Sequence, residues 1–170
     1  MSMSFQTMSI QVANLLRRTP PLFKIAYHLH RALQSRYTMG VVGVVINDAH
    51  EVLLVEHAFH PKIPWGLPGG WVSKHENPAD TVRRELMEEL SLTVVDTQLL
   101  SISTHNIHSD HLDIAYLCRT EGEVGALSYE LLAYRWYAPD DLPRLHRFQY
   151  DAIERAYTMN QKPEGSSHDH

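Results

Sequence analysis

Cysteine is almost absent: Cys118 is the only one in 170 residues, so no disulfide can form within the chain. It sits in the apolar run LDIAYLC, which reads as a small buried hydrophobe rather than a nucleophile, and a reduced, cytoplasmic setting is expected. Acidic residues are missing from the first 47 positions, where Arg17, Arg18, Lys24, Arg31 and Arg36 are the only charges. From Asp48 onward, ten Lys and Arg face all twenty acids, a net of −10, so a basic arm precedes an acidic body. Five positive charges spread over 47 residues are too sparse for a nucleic-acid surface, and no DNA partner is expected. No apolar run approaches the ~18 residues of a membrane span, and Arg17 and Arg18 interrupt any signal-like core, so membrane association is not expected. Internal repeats are lacking, and the only biased stretch is the polar tail PEGSSHDH.

What remains is an ordinary globular composition, 44% apolar, in a chain long enough for one domain with a sizeable core. Residues 8–19 and 21–36 read as two short helices broken at Pro20 and Pro21. In the second, Leu22, Ile25, Ala26, Leu29, Ala32 and Leu33 form an apolar stripe that needs a cover. The acidic body of the same chain or a second subunit in a homodimer suits its charge better than a lipid surface. From Thr38 the pattern turns β-branched. TMGVVGVVI and EVLLVEH flank an Asn47-Asp48 turn and predict a hairpin or meander; LTVVDTQLLSIS, HLDIAYLCRT and LLAYRWYA are further strands. RFQYDAIERAYTM, residues 147–159, predicts a closing helix. The expected organisation is an N-terminal helical extension over 1–36, a mixed α/β domain over 37–160 and a disordered tail over 161–170.

One helix carries an unusual load of charge. Asn77 and Pro78 supply an N-cap and a first helical residue, Asp80 suits the positive end of the dipole, and the helix runs to about Leu90. At ~100° per residue, Glu85, Glu88 and Glu89 fall within one arc, and Ala79, Val82, Leu86 and Leu90 within its neighbour. Like charges so spaced cost only a few tenths of a kcal/mol per pair on an exposed helix, so a solvated face is one reading. A rigid cradle for a hard divalent cation is the other. Arg84, one turn before Glu88, can pin a carboxylate or an adjoining loop with its fork of donors. Upstream, the LPGG stretch joins rigid Pro68 to Gly69 and Gly70, two residues free to adopt positive φ in a sharp loop.

Gly70, Glu76, Arg84, Glu85, Leu86, Glu88, Glu89 and Leu92 stand at spacings that resemble the signature of the Nudix hydrolases, and the flanking WGLPGGWV is also typical. The one departure is Ser91, where that family usually has glycine; it puts the left-handed helix cap in question but touches no ligand position. The resemblance covers about residues 38–158. It implies a Nudix fold, a mixed β-sheet sandwiched between helices, and Mg²⁺- or Mn²⁺-dependent hydrolysis of a nucleoside diphosphate linked to another moiety: an NDP-sugar, ADP-ribose, a dinucleotide or an NTP. By matched position, Glu85, Glu88 and Glu89 would hold the metal, with the Gly70 carbonyl joining them. Arg84, Glu88 and Glu89 would belong to the catalytic machinery, and Gly69 and Glu76 to the frame of the motif.

Outside that motif the resemblance implies a base or metal group from a later loop; of Glu121, Glu123 and Glu130, the last, shortly before the strand containing Trp136, sits most like the family's acidic position, and the other two read as solvated. Trp65 is a candidate for stacking on a substrate base, and Tyr116 another. His105, His108 and His111 match no common zinc spacing and read as a polar turn between strands. The window Ile107–Asp110 holds neither the proline nor the tyrosine that marks some Nudix substrate classes, so the substrate stays open. Two rival readings are a non-catalytic nucleotide-sensing Nudix module, disfavoured because every motif carboxylate is present, and an RNA 5′-end pyrophosphatase.

Overall fold

In the computed structural model, residues 20–34, 37–104 and 110–160 are described. The helix read over 8–19 and the tail over 161–170 lie outside them. The chain divides into two units, Met1–Arg36 and Tyr37–His170. In the first, the described element is α1 (Pro20–Ala32), on which Ile25 and Leu29 are exposed, as is Leu33 just after it. Among the described residues no helix is long and apolar enough to cross a membrane.

The second unit runs β1 (Thr38–Val44), β2 (Val52–His57), β3 (Trp65–Gly66), β4 (Gly69–Trp71), α2 (Pro78–Leu90), β5 (Thr93–Ser103), β6 (His111–Glu121), β7 (Leu131–Tyr137) and α3 (Arg147–Asn160). Its strands form two sheets, β4-β1-β6-β5 and β3-β2-β7, in which only the β1–β6 pair is parallel. The expected hairpin of β1 and β2 is corrected here. The two strands touch through an Ile46–Val52 bridge and a Leu53 N–H to Val45 C=O bond of 3.0 Å, then diverge into different sheets. Both are apolar on both faces, so each serves as an interior strand of its own sheet rather than as one leg of a half-solvated hairpin.

Alternation along β1 and β2 assigns the core. Val41, Val45, Leu53 and Val55 pack with Val82, Leu86 and Leu90 of α2, whereas Val44, Val52 and Leu54 pack with Ala152, Ile153 and Ala156 of α3. Each such buried branched side chain contributes roughly 1.5–3 kcal/mol of transfer free energy. The strands are thus filled from both sides by helices, as the sandwiched arrangement requires. Strands β3 and β4, two and three residues long and built on Gly66, Gly69 and Gly70, were not predicted, because so short a run offers no alternation to read.

At Gly43 the apolar face of α2 packs tightly on β1. A Cβ there would lie 2.9 Å from Leu86 Cδ1 and 3.1 Å from Val82 Cγ2. Gly43→Val is expected to destabilise the fold by about 1–3 kcal/mol through overpacking. Urea denaturation reads this as a lower midpoint with an unchanged slope; an unchanged midpoint would mean that α2 stands off freely.

Candidate active site

Helix α2 begins as its sequence dictates: Asn77, extended at φ −80° and ψ 133°, accepts the Ala79 N–H at 2.9 Å through its side chain, and Pro78 follows. Buried Val82, Leu86 and Leu90 fix the rotation of the helix, and that rotation turns Glu85 and Glu89 toward β4. Glu89 is only 6% exposed and accepts the Gly69 N–H at 3.0 Å. Glu85 lies so close to Gly70 that a Cβ there would overlap its carboxylate. A Cβ on Gly69 would overlap the Val41 carbonyl oxygen. Of the glycine pair only Gly69 has positive φ, at +153°, so Gly70 is required for its missing side chain and not for its backbone angles.

Arg84 joins the loop before the helix to the helix itself. Its Nε and Nη2 donate to Glu76 Oε1 and Oε2 at 3.0 and 3.3 Å, and its Nη1 donates to Glu85 at 2.9 Å and Glu88 at 3.1 Å. The Glu76 carboxylate also accepts the Ser73 N–H at 3.1 Å, which closes the loop between β4 and α2. The fork on Glu76 is the strong, charge-assisted kind. It holds the Glu76 carboxyl down at about 2, with Ser73 adding to the effect, and Glu76 in turn raises Arg84.

Both inward carboxylates are shifted upward, Glu89 further than Glu85. Burial raises Glu85 despite the Arg84 guanidinium. Glu89 is pushed up to about 8, first by burial, which outweighs its Gly69 hydrogen bond, and further by the charges of Glu85, Glu130 and Glu88. Among the described residues no cationic side chain pairs with Glu89. Nor are any three His, Cys, Asp or Glu side chains among them gathered closely enough to hold a metal ion as they stand. Arg84 draws Glu85 and Glu88 to itself, while Glu89 turns to the backbone. The donor set is nonetheless all oxygen and contains one buried carboxylate without a countercharge, which suits a hard divalent cation.

Glu130 is exposed, yet its charge reaches Glu85 and Glu89. Its backbone N–H donates to Ser128 Oγ at 3.4 Å, and its carbonyl accepts the Ala58 N–H at 2.9 Å. The segment that leads to it lies on the C-terminal end of α2: Gly125 N–H donates to Leu90 C=O at 2.9 Å and Ser128 N–H to Glu89 C=O at 3.1 Å. Ser91 adopts the left-handed cap, φ 58° and ψ 28°, and its hydroxyl donates to Ala126 C=O at 3.3 Å. Sequence reasoning did not find these contacts. They are mostly backbone to backbone, which leaves no side-chain pattern to read.

The remaining candidates are held by other contacts. Trp65 is half-buried, edge-on to Tyr137 at 5.5 Å and beneath Arg135, and Tyr116 packs against the α2 side of the core. His111, expected in a turn, is buried at the start of β6, with Nδ1 2.8 Å from Thr38 Oγ1 and Nε2 3.4 Å from Asp113. His105 and His108 lie outside the described residues. Cys118 is buried, and burial pushes its thiol up to about 12, so it is not a thiolate near neutrality.

The sequence model of the NUDIX domain matches residues 36–156. A MutT-like protein of Streptomyces ambofaciens is 28% identical over 106 residues, 62% of this chain and 67% of its own. An 8-oxo-dGTP diphosphatase of Proteus vulgaris is 26% identical over 81 residues, 46% of this chain and 72% of its own. Among solved structures, a MutT NUDIX hydrolase from Burkholderia pseudomallei superposes with a TM-score of 0.63 at 28% identity, covering 71% of this chain and 98% of that one.

The raised Glu89 pKa makes stability depend on pH when no cation is present. A carboxyl that binds its proton more tightly when folded stabilises fully below its ordinary value of 4.5, and that contribution is lost as the pH rises through about 8. In chelator, the unfolding free energy should therefore decline between those limits by on the order of a few kcal/mol, while Glu89→Gln stays flatter and is the more stable protein at pH 8. Urea titrations across the range test this; parallel profiles for the two proteins would show that Glu89 is not the titrating group.

Proposed function

The chain belongs to the Nudix family and is a pyrophosphohydrolase of nucleotide derivatives; we propose that it uses Mg²⁺ or Mn²⁺ to cleave the pyrophosphate of a nucleoside diphosphate linked to another moiety. The observation that carries this reading is the buried, uncompensated Glu89 carboxylate beside Glu85, within one turn of Glu88 and against the Gly69–Gly70 backbone. The retained carboxylates favour an enzyme over a sensing module. The 8-oxo-dGTP diphosphatase of Proteus vulgaris makes a nucleoside triphosphate the first substrate to try.

In this reading Glu85, Glu88, Glu89 and the Gly70 carbonyl hold the ion. Bound among them, a divalent cation supplies charge neutralisation for the phosphate oxygens and lowers the pKa of water. The chain's own groups do the rest. Arg84 locks the loop that follows Gly69 and Gly70 of β4 to α2 through Glu76, which restrains the distance between carbonyl and carboxylates. Glu130, on the facing segment, orients the attacking water and accepts its proton as the water oxygen bonds to phosphorus and the bridging P–O bond breaks. Release of Arg84 Nη1 from Glu85 and Glu88, with its fork on Glu76 retained, frees two carboxylates for the ion without loosening the loop.

A hydrolysis screen over NTPs including 8-oxo-dGTP, ADP-ribose, NDP-sugars and dinucleotides, with Mg²⁺ and with Mn²⁺, tests the reading. Glu89→Gln should lower turnover by orders of magnitude while the fold remains as stable as the parent or more so. Glu130→Gln should depress kcat more than it changes KM, as expected of a group that acts mainly in the transition state. Parent-like turnover in the first variant would remove Glu89 from the metal set, and an unchanged kcat in the second would return Glu130 to the surface.

A further inference from the structure

The place where the motif departs from its family coincides with the place where a distant segment docks. Ser91 stands where the family has glycine. It still takes the left-handed conformation, φ 58° and ψ 28°, which a residue with a Cβ adopts only at a cost that glycine escapes. In return its hydroxyl reaches Ala126 C=O at 3.3 Å. The two other bonds at this junction, Gly125 N–H to Leu90 C=O and Ser128 N–H to Glu89 C=O, are made by backbone and are open to almost any sequence. The Ser91 bond is not. The surfaces also interlock: a Cβ on Gly125 would come within 2.8 Å of Ser91 Cβ, so the side chain added at 91 is matched by one missing at 125.

From this junction the chain runs directly to Glu130. Ser128 gives its N–H to the Glu89 carbonyl, takes the Glu130 N–H on its own Oγ at 3.4 Å, and Glu130 C=O then accepts the Ala58 N–H at the end of β2. The segment is held at α2 through Gly125 and Ser128 and at the end of β2 through the Glu130 carbonyl itself, so Glu130 stands at its second anchor. We propose that Ser91 is a positioning residue: its hydroxyl latches the 125–128 segment to the end of α2 and thereby keeps Glu130 facing the α2 carboxylates. The inference rests on the role given to Glu130 above. It adds a specific reason why serine is useful where glycine would be easier to accommodate. Ser91 itself touches neither substrate nor ion; it acts through the segment.

Ser91→Gly separates latch from stability, because it deletes the hydroxyl and relieves the left-handed backbone at once. The melting temperature should hold or rise, whereas kcat should fall about tenfold, the rate equivalent of one hydrogen bond, with KM changed less than twofold. In the metal-free protein, the amide protons of Gly125 and Ser128 should exchange faster in the variant. Added to Glu130→Gln, the same substitution should cost nothing further, since the latch has no function once its carboxylate is gone. Parent-like kcat and amide exchange in Ser91→Gly, beside an impaired Glu130→Gln, would overturn the latch and leave the role of Glu130 standing. Full additivity in the double variant would overturn it too. A fully active Glu130→Gln would instead defeat the reading of Glu130, and with it the catalytic purpose of the latch, even if the amides of Ser91→Gly exchange faster.

Discussion

The closeness of the Gly69–Gly70 backbone to the carboxylates of α2 is the constraint on which the site depends. A side chain at 69 would collide with the Val41 carbonyl, and one at 70 with Glu85. With both absent, β4 pairs with β1 along Val42–Gly69 and Val41–Gly70 and still offers an N–H to Glu89. Sheet pairing and site geometry are one requirement here. Arg84 secures it from the other direction, since its fork on Glu76 ties down the loop that follows β4.

Electrostatics explains how so many acids coexist in two turns. Glu76 and Arg84 satisfy each other strongly enough to count as fixed, and Glu88 spreads its charge into solvent. The unfavourable remainder is concentrated on half-buried Glu85 and buried Glu89, with one guanidinium nitrogen on the first and one backbone N–H on the second. A carboxyl that is costly to ionise where it stands is poor design for stability alone, and a cation would favour its ionised form. The helix therefore has a solvated carboxylate, Glu88, and a buried one, Glu89, side by side.

Much of this was legible in the sequence, for reasons that differ by element. Asn77-Pro78 announces a helix start through cap chemistry, and α3 and the long strands are read from their periodicity. The motif carboxylates are recognisable because their spacing on a helix is rigid. Strands β3 and β4 were hidden because two or three glycine-rich residues carry no pattern. The parting of β1 from β2 was hidden because a turn at Asn47-Asp48 says nothing of which neighbour each strand takes beyond it. His111 illustrates the same limit, as its burial depends on β6 lying beside Thr38 of a strand more than seventy residues earlier. Ser91 was visible only as a departure; its partner, Ala126, is known from its backbone and not from its side chain.

Strands β1 and β2 present alternate residues to α2 and to α3, which makes them a partition wall between two half-cores. Neighbouring positions in the chain consequently answer to different tenants. A change at Leu53 or Val55 is transmitted to the helix that bears the carboxylates, whereas a change at Val52 or Leu54 is spent on the far side against α3. The chain can thus drift in the half facing α3 while the carboxylate geometry is inherited unchanged. Mutational tolerance along a single strand should alternate residue by residue, with function tracking one parity and thermal resilience tracking both.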